Sequence, residues 1–223
     1  MTGQNTSSAV MQQRSEPHKS LDDFPTPPWA TRALLEFLGT QGFTPGGAAR
    51  EPAVNRGHMV KPLSEFFDTV DASDVHDYGV GYPVRDYLFG PDPDPVDWTI
   101  TNPPFRLAEE FIGRALNTSK EGCAFILRSA FLEGVGRHQR LFAQRPPAFV
   151  LQFSERVVMH KGRLSKDGST ATAYCWIIWL HERWHLSGTT ELFWVPPSRA
   201  RLERPEDYPV ETPVEAQEGA LAL

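Results

Sequence analysis

The chain has 223 residues, 40% of them hydrophobic, with 14 Phe, 6 Trp and 2 Cys. That is enough apolar material for one substantial core, and it excludes a disulfide framework. The longest apolar run, residues 173–180, is too short to cross a bilayer as a helix. A net charge of −6 excludes nucleic-acid binding by bulk field, but the charge is unevenly spread. Residues 128–166 carry eight Lys and Arg against Glu133 and Glu155, a net +6 that leaves −12 to the rest. Such a segment predicts a local phosphate-binding surface.

In chain order, residues 1–20 are polar, without period and without an apolar signal segment. They predict a disordered arm on a cytoplasmic chain. Thr26 is predicted to cap a helix with prolines in its first turn, along which Ala30, Ala33, Leu34, Phe37 and Leu38 share a face. A short strand is expected to end near Pro52, a helix to run over 57–66 and a second strand over 67–72. A weaker third strand is expected over 84–88. The Gly-Pro-Asp-Pro-Asp-Pro stretch at 90–95 must be a loop. A fourth strand ends at Thr101. Leu107, Ala108, Phe111, Ile112, Ala115 and Leu116 then define an amphipathic helix. Residues 123–127 form a continuous apolar run, the signature of a central parallel strand. A helix is expected over 136–144, strands over 149–153 and 173–180, and an edge strand over 191–195. The division expected is an arm (1–20), one domain (21–195) and a mobile Pro/Glu-rich tail (196–223). Cys123 and Cys175 lie in apolar runs and read as buried free thiols. The seven histidines have no metal-ligand spacing, so no metal is expected.

The most informative stretch is Asn102-Pro103-Pro104-Phe105, which follows the fourth strand. Two successive prolines fix the backbone and remove two N–H groups. The Asn102 amide and the Pro103 carbonyl are thereby held in defined directions beside an aromatic ring. Such a corner can grip an exocyclic NH2 with two acceptors and stack a flat ring, the task posed by a base extruded from nucleic acid. Here the chain resembles the S-adenosylmethionine (SAM)-dependent amino-methylating DNA methyltransferases, chiefly the adenine-N6 enzymes. Asn102-Pro103-Pro104-Phe105 looks like their catalytic tetrapeptide. Thr26-Pro27-Pro28 looks like their N-terminal cofactor segment, and residues 51–59 (Glu-Pro-Ala-Val-Asn-Arg-Gly-His-Met) like their strand-to-helix cofactor loop. The likeness spans roughly residues 22–135. Short stand-alone chains of this kind look like those carried by phages and prophages.

The resemblance implies a Rossmann-like class I methyltransferase fold: an α/β, mostly parallel seven-stranded sheet with helices on both faces and a C-terminal antiparallel hairpin. It implies SAM as cofactor and double-stranded DNA, with a flipped base, as partner. Catalysis falls to Asn102, Pro103, Pro104 and Phe105. The cofactor falls to Thr26, Pro28, Glu51, Pro52, Ala53, Asn55, Gly57, Asp74, Asp86, Tyr87 and Asn102. In that set Glu51 takes the methionine amino group, Asp74 the ribose (with Asp71 as rival) and Asp86 the cofactor's adenine. Relatives usually carry Gly where this chain has Asn55. Asn is the side chain that best tolerates left-handed backbone, so the turn is predicted to survive with a side chain where a glycine leaves space. Arg137, Arg140, Lys161, Arg163 and Lys166 are the candidate phosphate contacts. Phe131 reads chiefly as core. Two other readings stay open: a methyltransferase of this fold acting on RNA adenine or protein glutamine, and a non-catalytic nucleic-acid-binding relative that has lost the cofactor through Asn55.

Overall fold

A computed structural model describes residues 21–181 and 189–208. The expected arm at 1–20 and the tail from 209 on lie outside the described residues. Seven strands form one sheet: β1 (Ala48–Glu51), β2 (Thr69–Ala72), β3 (Val96–Thr101), β4 (Ser119–Arg128), β5 (Phe149–Phe153), β6 (Tyr174–Leu180) and β7 (Glu191–Val195). Their spatial order is β2-β1-β3-β4-β6-β5-β7. Strands β1 to β4 pair in parallel, β6 runs antiparallel to both β4 and β5, and β7 joins β5 in parallel at the edge. The helices are α1 (Pro28–Thr40), α2 (Val60–Ser64), α3 (Ala108–Thr118), α4 (Val135–Arg137) and α5 (Arg199–Leu202). Sequence periodicity thus locates the parallel half, the closing hairpin and the edge strand.

The period of two along the central strands divides the core between the faces of the sheet. Ala124 and Ile126 of β4, with Trp176 and Ile178 of β6, pack on one side with α1. Cys123, Phe125 and Leu127, with Cys175, Ile177 and Trp179, pack on the other with α3. Burying β4 on both faces requires the continuous apolar run that the sequence shows. Both indoles of β6 satisfy their N–H: Trp176 donates to the Ala30 carbonyl at 2.9 Å and Trp179 to that of Arg145 at 2.8 Å. Cys123 and Cys175 are free, buried thiols, pushed up by desolvation.

Several expectations need correction. No strand forms over 84–88. A single parallel bridge joins Val84 to Asp74. Pro83 restricts the chain before it, and the Asp86 carboxylate accepts the Leu88 N–H at 2.9 Å, turning the chain after it. Thr26 does not cap α1. The cap position is Pro27, no side chain caps it, and the Thr26 hydroxyl is buried without a partner. Helix α2 begins at Val60, later than expected. The helix expected over 136–144 is α4 continued by a π-turn at His138–Phe142. Residues 196–208 do not form a mobile tail. They fold back onto α1, where Arg32 donates to Asp207 Oδ2 at 2.6 Å, to the Leu202 carbonyl at 2.8 Å and to Glu65 Oε2 at 3.0 Å. Arg32 and Asp207 are both buried.

Candidate active site

The carboxyl ends of β1, β2 and β3 face a common cleft, as parallel α/β sheets arrange their ligand sites. It is an open cleft of about 830 Å³, the solvent at its mouth included, and its lining includes Thr26, Pro52, Ala53, Asn55, Asp74, Asp86, Tyr87 and Asn102. Eight of the eleven predicted cofactor positions, with Pro104 of the predicted catalytic set, are therefore brought together around one space. A second, smaller cleft of about 310 Å³ lies on the other side of the Asn102 corner, lined by Asn102, Pro103, Phe105, Arg128, Met159 and Tyr174, among others. Asn102 borders both.

The corner is held by the segment before α1. Asn102 Nδ2 donates to the Phe24 carbonyl at 2.9 Å. That bond fixes the amide's orientation and leaves Asn102 Oδ1 without a protein partner among the described residues. The Phe105 N–H donates to Asp22 Oδ2 at 2.6 Å. Asp22 itself sits at φ 52°, in the left-handed region, a position that costs a non-glycine residue free energy. The next residue, Asp23, ties down the cofactor-side loop: Asn55 Nδ2 donates to its Oδ1 at 2.7 Å and Arg56 pairs with it at 3.0 Å. Its carbonyl accepts the Gly162 N–H at 2.8 Å. Residues 22–24 thus form a strap between the two clefts. Sequence reasoning missed it. The signal present was an Asp-Asp-Phe triplet just ahead of Thr26-Pro27-Pro28.

Asn55 adopts φ 52°, the left-handed turn predicted for it. Its side chain is engaged by Asp23 and by the Arg56 N–H at 2.8 Å. Gly57 (φ 84°) does not start a helix. A Cβ there would lie 2.4 Å from the Tyr82 hydroxyl, so the glycine is required by that contact. Pro28 is buried in the first turn of α1 and does not line the cleft. Asp74 does line it. Its carboxylate accepts the Asn55 N–H at 2.9 Å and the His76 N–H at 3.0 Å. Its rival Asp71 faces away and pairs with Arg50 and Arg85. Tyr87 is buried against Phe111.

Glu51, at the end of β1, is wholly buried. Its Oε1 accepts the Thr101 hydroxyl at 2.5 Å and the Ala53 N–H at 3.0 Å, while Oε2 has no partner. Burial, reinforced by the nearby Asp74 carboxylate, pushes its pKa up to about 8. A carboxyl group with one orphaned oxygen behind the wall of a cleft fits a cationic ligand group. Because the folded-state pKa lies above the unfolded value, the folded protein holds a proton that the unfolded chain releases. Stability from this group is therefore complete below about pH 4.5, falls as pH rises toward 8 and is flat beyond. Glu51→Gln is expected to remove that slope, read as melting temperature against pH from 5 to 8.

The basic candidates separate into two groups. Arg137 and Arg140 both pair with Glu109, at 3.5 and 3.0 Å, and Arg137 also lies over the Phe131 ring at 4.0 Å. Those two are tied into the fold. Lys161, Arg163 and Lys166 are exposed on the loop between β5 and β6, which reaches the small cleft through Met159. Phe131 is core, 1% exposed. Among the described residues no group of three or more His, Cys, Asp or Glu side chains is arranged to hold a metal, and no helix is long and apolar enough to cross a membrane.

No protein-family model matches the chain, and no curated protein matches it in sequence. Solved structures do match. A Listeria monocytogenes protein assigned to the class I S-adenosylmethionine-dependent methyltransferases superposes with TM-score 0.59 at 13% identity, over 84% of this chain and 69% of that one. The fold is that of the class I methyltransferases. The methyltransferase subunit of a type I restriction-modification system from Streptococcus thermophilus superposes with TM-score 0.60 at 12% identity, over 77% of this chain and 47% of that one. A modification subunit assigned to a type I restriction enzyme of Vibrio vulnificus gives 0.54 at 14%, over 91% and 53%. The chain spans about half the length of these two subunits.

Proposed function

We propose that this chain is a SAM-dependent methyltransferase acting on the exocyclic N6 of an adenine flipped out of DNA. The observation that carries the reading is Asn102. It stands at the wall between the two clefts, with Nδ2 fixed by Phe24 and Oδ1 left open. The Pro103 carbonyl accepts no hydrogen bond among the described residues, so two successive residues of the corner each keep an acceptor uncommitted. The likeness in fold to type I modification subunits supports DNA as the substrate.

Glu51, Asp74, Asp86 and Tyr87 would hold the cofactor, whose sulfonium supplies an electrophilic methyl group when bound. The orphaned Glu51 Oε2 suits an amino group, and the Asp74 and Asp86 carboxylates suit hydroxyl and amino donors. The remaining work belongs to the corner. An exocyclic adenine amine is a poor nucleophile because its lone pair is delocalised into the ring. Oδ1 of Asn102 and the Pro103 carbonyl, each accepting one N–H, favour a pyramidal nitrogen with its lone pair directed at the large cleft. Positioning of this kind lowers barriers by up to several kcal/mol. No strong base is needed, since the amine proton becomes acidic as the new N–C bond forms. Phe105 supplies a stacking surface worth about 1–3 kcal/mol per base. Lys161, Arg163 and Lys166 are exposed on the loop whose Met159 lines the small cleft, and would meet backbone phosphates.

The test is transfer of a labelled methyl group from SAM to unmethylated duplex DNA, RNA and a protein extract in parallel. Label is expected on DNA, as N6-methyladenine after nuclease digestion. Label confined to RNA or protein, or on none of the three, would refute the reading.

A further inference from the structure

The ring that should receive the base is already covered. The Arg128 guanidinium lies over Phe105, 4.9 Å from the ring centroid. Both residues border the small cleft with Asn102, so the guanidinium and the ring meet at the wall of that cleft. Phe131 contacts the same ring in a T-shaped arrangement at 6.4 Å, which limits the ring's freedom to turn away. A stacked base needs the space a few ångströms above a ring face, which is where the guanidinium sits. The two cannot share it.

Arg128 also differs from its neighbours in having no competing tie. Arg137 and Arg140 are paired with Glu109, and Arg156 donates to the Ala171 carbonyl. Among the described residues the Phe105 ring is the one partner of the Arg128 side chain, its backbone pairing with Tyr174. A planar cation on an aromatic face, free of a carboxylate, is held by a contact weak enough to exchange. It is the last residue of β4 and is partly exposed, so the long side chain has solvent to swing into.

We propose that Arg128 is the gate of the target cleft: it occupies the stacking face of Phe105 in the absence of substrate, and the arriving purine displaces it. Arg128 is thus a positioning residue that acts through Phe105. This rests on the reading of the small cleft as the site of the extruded base.

The experiment uses the full chain saturated with S-adenosylhomocysteine and titrated with deoxyadenosine, which carries no phosphate that could pair with Arg128 directly. In the free protein the Arg128 Hε resonance, assigned by its loss in Arg128→Lys, is expected upfield from ring-current shielding. Deoxyadenosine is expected to abolish that shielding. Arg128→Ala is expected to bind deoxyadenosine about twofold to fivefold more tightly, the equivalent of one exposed cation–π contact. An unshielded resonance in the free protein, shielding that persists at saturating deoxyadenosine, or binding that is unchanged, weakened or absent in Arg128→Ala would each overturn the gate. Methyl transfer to duplex DNA, measured alongside, separates the two ideas. Transfer with an immobile Arg128 discards the gate alone, whereas displacement of Arg128 without transfer to any nucleic acid discards the reaction and keeps the gate.

Discussion

Asn102→Ala is expected to lower the rate of methyl transfer by about 10²–10³-fold, the loss typical of removing one preorganised hydrogen-bonding group from a reacting centre. SAM affinity is expected to change much less. The reason lies in how the amide is divided. Its nitrogen is spent on the Phe24 carbonyl, a structural bond, and its oxygen faces the reacting amine. Asn102→Asp sharpens the test. It keeps an acceptor in place but puts a carboxylate against the Phe24 carbonyl where a donor stood, so the corner loses its anchor. Both variants should therefore lose turnover, whereas Asn102→Gln, which keeps both groups on a longer arm, should retain a little. Single-turnover rates at saturating SAM, with calorimetry for cofactor binding, separate the effects. An equal loss of turnover and of SAM affinity would show that Asn102 serves the cofactor and not the transferred methyl's acceptor.

Breaking the Arg32 anchor is expected to cost about 3–5 kcal/mol of stability, as for other buried ion pairs that lose one partner. For a domain of this size that corresponds to a melting temperature lower by roughly 10 °C. Arg32→Met should be the more damaging change. It leaves the buried Asp207 carboxylate with only the Arg204 N–H, at 2.9 Å. Asp207→Asn leaves Arg32 with Glu65 and the Leu202 carbonyl. The double replacement Arg32→Met with Asp207→Asn should recover much of the loss, because no unpaired charge remains. The Arg32 guanidinium holds the Asp207 pKa below the ordinary carboxylate range. Its contribution is therefore complete above the unfolded value near 3.8 and is lost as pH falls through the lower folded value. Denaturant unfolding at pH 7 of the two single variants and the double one measures the cycle. Additive losses would show that Arg32 and Asp207 are not coupled.

The fold was legible because its central strands are buried on both faces. An apolar run such as residues 123–127 admits few other placements, and the alternation within β6 divides the core cleanly. The corner was legible because two prolines act locally. What could not be read was set by distant partners. Arg32 sits in a helix whose pattern gives no hint of Asp207, 175 residues on, so the end of the domain looked like a loose tail. The strand expected over 84–88 failed because a side-chain turn at Asp86 competed with sheet pairing. The pairing of Arg137 and Arg140 with Glu109 was hidden as well, because charge counts do not reveal which carboxylate lies across from a cation. Asn55 reads in sequence as a misplaced side chain, but its amide bonds to Asp23, a residue whose importance only folding reveals.

One peptide, residues 22–24, forms the party wall of both cavities, bonded to Asn55 on one side and to Asn102 and Phe105 on the other. Whatever filling the first cavity does to that wall is felt in the second, and thermodynamic reciprocity makes the effect equal in both directions. Titrating S-adenosylhomocysteine with and without an oligonucleotide should therefore shift each ligand's affinity by one common factor, and Asp23→Ala should bring that factor closer to unity.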